Sequence, residues 1–96
     1  MLKIKYTSQF KKDYKSIRKR GYDLQILIDV INRLANQQIL DKKFHDHALH
    51  GNYDGFRECH LEPDWLLIYR IDGNNFILVV TRTGSHSDFI QIIYPI

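Results

Sequence analysis

The sequence predicts an α+β fold: an N-terminal strand, two antiparallel helices on one face of a largely antiparallel sheet, and a short C-terminal strand or extension. Three observations predict it. Apolar residues alternate at the start, recur at helical spacing through residues 8–34, and alternate again from residue 56. Gly21 breaks the helical stretch in two. Two short turns, Pro63-Asp64 and Asp72-Gly73-Asn74-Asn75, then divide the second half into strand-length runs. A chain of 96 residues suits one core rather than two, so a single domain over residues 1–96 is expected.

Each element has its own signal. Residues 2–7 place Leu2, Ile4 and Tyr6 on one side of a short strand. Ser8 suits an N-cap, and Phe10, Tyr14 and Ile17 follow at i, i+4 and i+7 with lysines on the other faces. Asp23 suits the next cap, ahead of a stripe of Leu24, Leu27, Ile28, Ile31 and Leu34 widened by Val30. So short a connection makes the helices antiparallel neighbours. Residues 36–55 lack periodicity and contain Gly51 and Gly55, which predicts an ordered loop over the sheet. Residues 56–62, 65–71 and 76–82 read as strands. The tail, residues 89–96, reads as a last strand or an ordered extension.

The turns imply a register. With Pro63-Asp64 as the loop, Glu62 faces Trp65, His60 faces Leu67 and Cys59 faces Ile68. A hairpin centred on Gly73-Asn74 pairs Ile71 with Phe76, Leu67 with Val80 and Trp65 with Arg82. Period-two alternation then turns Cys59, Leu61, Leu66, Ile68, Ile77 and Val79 toward the helices. Glu58, His60, Glu62, Trp65, Tyr69 and Arg82 take the other face, with Leu67, Leu78 and Val80. His60 and Arg82 thus point the same way, two strands and roughly 10 Å apart.

Charge is more informative by position than in total. Residues 1–20 hold eight Lys/Arg and one acid, Asp13, for +7; residues 21–96 hold six basic and ten acidic residues, for −4, and the two sum to +3. A basic N-terminal segment suits approach to RNA, DNA or an acidic partner, although a solvated lysine-rich helix face has the same composition. No apolar run approaches the roughly 20 residues that span a bilayer, so no membrane role is expected. The first residues do not resemble a signal peptide, and one cysteine makes no internal disulfide; both fit the cytoplasm.

The chemistry is concentrated in residues 45–65, HDHALHGNYDGFRECHLEPDW, with four of the five histidines, the only cysteine and the only tryptophan. Imidazole exchanges protons near neutral pH, so the stretch suggests an acid–base site acting on a phosphodiester. Metal-free RNA cleavage needs a base for the 2′-hydroxyl, an acid for the leaving 5′-oxygen and a cation for the phosphorane. His47, His60, Asp64, Arg82 and His86 supply that set, and Trp65 and Tyr53 offer faces for an unstacked base. Trp65 could equally be a packing residue. The spacing His45-x-His47-x-x-His50 invites a metal, but closed structural zinc sites commonly use several thiolates and here there is one. No metal or other cofactor is expected. His45 and His50 read as surface residues, and Cys59 as a buried small hydrophobe.

These residues carry a resemblance. DHALHGNYDGFRECHLEPDWLLIYRI, followed by TRTGSHSDF, resembles the YafQ-type branch of the RelE/ParE superfamily, toxins of bacterial toxin–antitoxin pairs. The family pattern D-H-x-L-x-G, R-[DE]-x-H-[VLI]-x-P-D-[WL]-[IL]-L-[IV]-Y and G-[ST]-H-[SA] is present block by block, in order. The resemblance implies an mRNA endonuclease acting on the translating ribosome, neutralised by a small acidic antitoxin and meeting DNA only through that complex. It implies His47, His60, Asp64 and His86 as the catalytic set, Arg82 on the phosphate, and Trp65 and Phe89 as auxiliary residues. One departure stands out: His86-Ser87-Asp88-Phe89-Ile90 places its aromatic one position early, before a longer apolar tail. The alternative is a non-enzymatic toxin of the same fold that inhibits a target such as DNA gyrase, for which converging histidines have no evident use.

Overall fold

The computed structural model describes residues 1–90. Its elements run β1 (Lys3–Tyr6), α1 (Ser8–Lys19), α2 (Leu24–Ala35), β2 (His47–Ala48), β3 (Arg57–Glu62), β4 (Trp65–Asp72), β5 (Ile77–Gly84) and α3 (His86–Phe89). The sheet order is β1-β5-β4-β3-β2; β1 is parallel to β5 and every other pairing is antiparallel. Two single-turn 3₁₀ segments, Lys42–Phe44 and Gly51–Tyr53, lie between α2 and β3.

The helices form where the apolar stripes predict, with one change at the first cap. Thr7 rather than Ser8 caps α1: its hydroxyl accepts from the Phe10 backbone N–H at 2.9 Å and donates to the Thr81 carbonyl at 2.7 Å. One side chain both starts the helix and ties it to β5. Asp23 caps α2 as expected, and Gly21 takes φ +80°, a left-handed conformation that ends α1 cheaply. Phe10, Ile17, Leu27, Val30, Ile31 and Leu34 pack on the sheet, while Ile28 faces outward at 46 % exposure.

The register departs from simple alternation at two β-bulges. Glu62 pairs with Trp65 as expected, but His60 pairs with Leu66 and Cys59 with Leu67, leaving Leu61 as the extra residue. In the next hairpin Ile71 pairs with Leu78 and Tyr69 with Val80, then Ile68 with Arg82, leaving Thr81 extra. The helix-facing layer is therefore Cys59, Leu61, Trp65, Leu67, Tyr69, Leu78 and Val80. Leu66 and Ile68, expected beneath the helices, belong to a second cluster with Leu49 and Phe89, bordered by Tyr53 and Phe56.

Two further expectations change. The segment expected as loop contains β2, which adds an edge strand by pairing His47 with Glu58 and Ala48 with Arg57. Two residues are too few to show any period. At the other end Phe89, the first residue of the expected tail, closes a short helix α3 begun at His86, and the part of that tail over residues 91–96 lies outside the described residues. Among the described residues no helix is long and apolar enough to cross a membrane.

Candidate active site

The site is built on the sheet face opposite the layer of Cys59, Leu61, Trp65 and Leu67. Alternation along β3 puts Glu58 and His60 on that face, and the β2 pairing sets His47 directly beside Glu58. One Glu58 oxygen, Oε1, is 3.3 Å from His47 Nε2 and 3.5 Å from His60 Nε2. The Glu58 side chain is 1 % exposed, so both imidazoles meet a carboxylate shielded from water. His47 Nδ1 lies 3.3 Å from the Ala48 carbonyl oxygen.

His86 is held by a different device. Ser85 and Asp88 form a capping box at the start of α3, and Arg20 of α1 ties to Asp88 at 2.9 Å. Gly84 has to be glycine for this arrangement, since a Cβ there would lie 2.6 Å from the Asp88 carboxylate. The Gly84-Ser85-His86 motif is thus a frame that aims one histidine. Asp64, on the turn between β3 and β4, accepts from the His86 backbone N–H at 3.0 Å and contacts ring Nδ1 at 2.7 Å. Those bonds, the backbone one foremost, hold the Asp64 carboxyl below its ordinary range. An ionised carboxylate only accepts, so Nδ1 carries the proton and Nε2 is left for chemistry.

The His60 ring is the centre of the cluster, 5.5 Å from His86, 5.6 Å from His45 and 6.3 Å from His47, centroid to centroid. His45, expected on the open surface, is exposed but turns against His60 from a left-handed backbone at φ +45°. His50 makes none of these ring contacts. Neighbouring carboxylates lead one to expect a readily protonated His60. The structure reverses this: burial lowers its pKa first, Glu58 opposes, and His86 and His45 lower it further. In an NMR titration the His60 midpoint should fall below the free value of 6.5, and lower still in Glu58→Gln. A midpoint above 6.5 in the wild type would contradict the burial argument.

Arg82 returns to the same face because the bulge at Thr81 shifts its alternation, and it stands opposite Ile68. Its guanidinium carbon lies 5.1 Å from the centroid of the Phe89 ring, and its Nε and Nη2 bond to Asp13 of α1. Phe89 itself is fully buried and underlies Arg82, with no face for a nucleotide. Tyr53 is half-buried, its ring edge-on to Phe56 at 5.5 Å.

Trp65 departs most from expectation. The bulge at Leu61 turns it to the helix side, where it is 2 % exposed, meets Tyr22 edge-on at 5.0 Å and donates Nε1–H to Thr83 Oγ1 at 2.9 Å. A ring so enclosed cannot stack on a base. Beside His45, His47 and His60 opens a cleft of about 900 Å³, walled on its far side by Ile26, Val30 and Arg33 of α2.

Across residues 2–91 the chain matches the family described as bacterial toxin of type II toxin–antitoxin system, YafQ. It is a member of the YafQ toxin family. The YafQ-family relatives include the mRNA interferase toxin YafQ of Escherichia coli strain K12, 38% identical over 85 residues, covering 88% of this chain and 90% of that protein. Another is a putative toxin YafQ of Haemophilus influenzae, 38% identical over 72 residues, or 72% and 71% of the two chains. Among solved structures, a metal-bound toxin from Helicobacter pylori superposes with TM-score 0.87 at 45% identity, covering 92% and 98% of the two chains. The Escherichia coli DinJ–YafQ complex gives 0.83 at 36% identity, covering 92% and 97%.

Two residues of this YafQ-family site escape the sequence reading. Glu58 was legible, since the spacing Glu58-x-His60 sets both on one face of a strand, but nothing marked it as the buried anchor of two imidazoles. Asp13 looks like a stray acid in a basic helix. Only the fold brings it to Arg82, sixty-nine positions away.

Proposed function

We propose that this toxin is an endoribonuclease that cuts mRNA on the translating ribosome by transesterification through the 2′-hydroxyl. The observation that carries this is the pairing of two unlike imidazoles 5.5 Å apart. His60 has a lowered pKa beside buried Glu58, and His86 has its Nδ1 fixed by Asp64. Neutral His60 takes the 2′-hydroxyl proton, and Glu58 stabilises the imidazolium that results. The 2′-oxygen attacks phosphorus, and the 5′-oxygen leaves with the Nε2 proton of the His86 imidazolium, whose Nδ1–H stays on Asp64. The products are a 2′,3′-cyclic phosphate and a free 5′-hydroxyl. Arg82 faces the charge that builds on the phosphorane, His47 helps hold Glu58, and Asp64 positions His86. Tyr53 is the aromatic rim nearest a flanking base.

Its substrate implies a cytoplasmic location, and the +7 charge of residues 1–20 suits approach to ribosomal RNA. The test is cleavage mapping of mRNA in a translating extract and on naked RNA, with wild type and His86→Ala. Cuts absent with His86→Ala and present only in the extract support both parts. Toxicity that survives in His86→Ala without cuts would favour a non-enzymatic inhibitor.

One observation favours a second reading of part of the site. Donor atoms of His47, Glu58 and His60 lie within 4.8 Å of one another. Two imidazoles and a carboxylate are a set that zinc accepts with a position left open. Solved Helicobacter pylori relatives include a metal-bound toxin and a copper-bound L66S mutant toxin. In this chain the same three residues would hold an ion, which when bound would supply a Lewis acid beside the phosphate. Calorimetric titration with Zn²⁺ or Cu²⁺ should show one site, lost in Glu58→Gln and kept in His86→Ala. Titrations identical in all three proteins would remove this reading.

A further inference from the structure

Asp13 is the only acid in the first twenty residues, and it is 9 % exposed within an otherwise basic segment. Its carboxylate is fully engaged. Oδ2 accepts from Arg82 Nε at 3.0 Å and from the Thr83 backbone N–H at 3.2 Å. Oδ1 accepts from Arg82 Nη2 at 3.1 Å and from Gln9 Nε2 at 3.1 Å. A carboxylate has about four lone-pair positions, and four donors fill them.

The consequence for Arg82 is directional. A guanidinium carries five N–H groups in a rigid planar fork. Asp13 takes Nε–H and one hydrogen of Nη2, the edge toward α1. Among the described residues three N–H groups remain, two on Nη1 and one on Nη2, along the edge that matches two oxygens of a phosphate. The guanidinium also lies over the buried Phe89 ring, which limits its tilt. Ion pairing with Asp13 dilutes the positive charge of Arg82, so the gain is orientation fixed before substrate arrives.

We propose that Asp13 is a positioning residue for the cleavage reaction, holding Arg82 so that its Nη1–Nη2 edge faces the scissile phosphate. This rests on the reading of Arg82 given above. A purely structural role is the competing account, because the same carboxylate also joins α1 to the end of β5 through Thr83.

A double-mutant cycle separates the two. Cleavage rates in translating extract are compared for wild type, Asp13→Asn, Arg82→Ala and the double variant, with mRNA saturating so that the chemical step is read. Asn keeps an acceptor for Thr83 and donates where Arg82 needs an acceptor. Asp13→Asn should slow cleavage on the order of ten- to a hundredfold with little change in KM, and the double variant should be no slower than Arg82→Ala. Asp13→Ala should behave in the same way if Asp13→Asn folds poorly. An Asp13→Asn penalty that persists undiminished in the Arg82→Ala background makes the role structural and overturns the inference alone. Arg82→Ala cleaving at the wild-type rate overturns both the inference and the place of Arg82 in the reaction.

Discussion

Replacing His86 by alanine will slow mRNA cleavage on the order of a hundredfold or more, the usual contribution of a positioned acid or base. Folding and capture by an antitoxin will be intact. The geometry carries the expectation, because the His86 ring is aimed by Asp64 and by a capping box, neither of which needs the imidazole in order to form α3. His60→Ala should cost as much, since its ring is the centre of the cluster and the group placed to accept a proton. Alanine at His47 and at Asp64 should also cost on the order of a hundredfold, the one by loosening Glu58 and the other by freeing the His86 ring. His45→Ala and His50→Ala should cost far less. The pH dependence has a defined sign: acidification protonates His60 and removes the base, so the rate falls on the acid side of a midpoint lying below 6.5. Primer-extension mapping of cut mRNA, with melting curves for each variant, checks all of this. If all five histidine variants lose activity equally, or lose it only by unfolding, the cluster is structural and the mechanism falls.

Trp65→Ala should be the most destabilising single change in the site region, by about 3–5 kcal/mol. The side chain is 2 % exposed, and its removal opens a cavity between Tyr22 and β5 while leaving Thr83 without its donor. In a chain of this size each kcal/mol lowers Tm by about 4–8 °C, so thermal denaturation should show a fall of more than ten degrees. Trp65→Phe keeps most of the apolar volume and loses the indole N–H, for a smaller cost of about 1 kcal/mol. A Trp65→Ala protein that melts like wild type but cleaves poorly would restore the indole to the substrate and contradict its placement in the core.

The sequence by itself determined the architecture: period two, then 3.6, then two again, with Asp23, Gly21 and the two turns marking the joints. It also singled out the residues proposed to carry the chemistry, because imidazoles crowd into residues 45–65 and a Gly84-Ser85-His86 motif follows. What only the tertiary structure decided is which face each residue takes beyond a bulge. Counting by twos from the Pro63-Asp64 turn joins Trp65 to His60 and turns Leu66 and Ile68 toward the helices. The extra residue at Leu61 reverses all three. Arg82 would then have been lost from the site, and the second extra residue at Thr81 brings it back, so the expected His60–Arg82 face survives through two offsetting shifts. A bulge forms where three strands and two helices together pack better with one residue out of step, and no local pattern records that preference. The same holds for Asp13 and for β2: a lone acid in a basic helix and a two-residue strand carry no period, and acquire their roles only from partners distant in the chain.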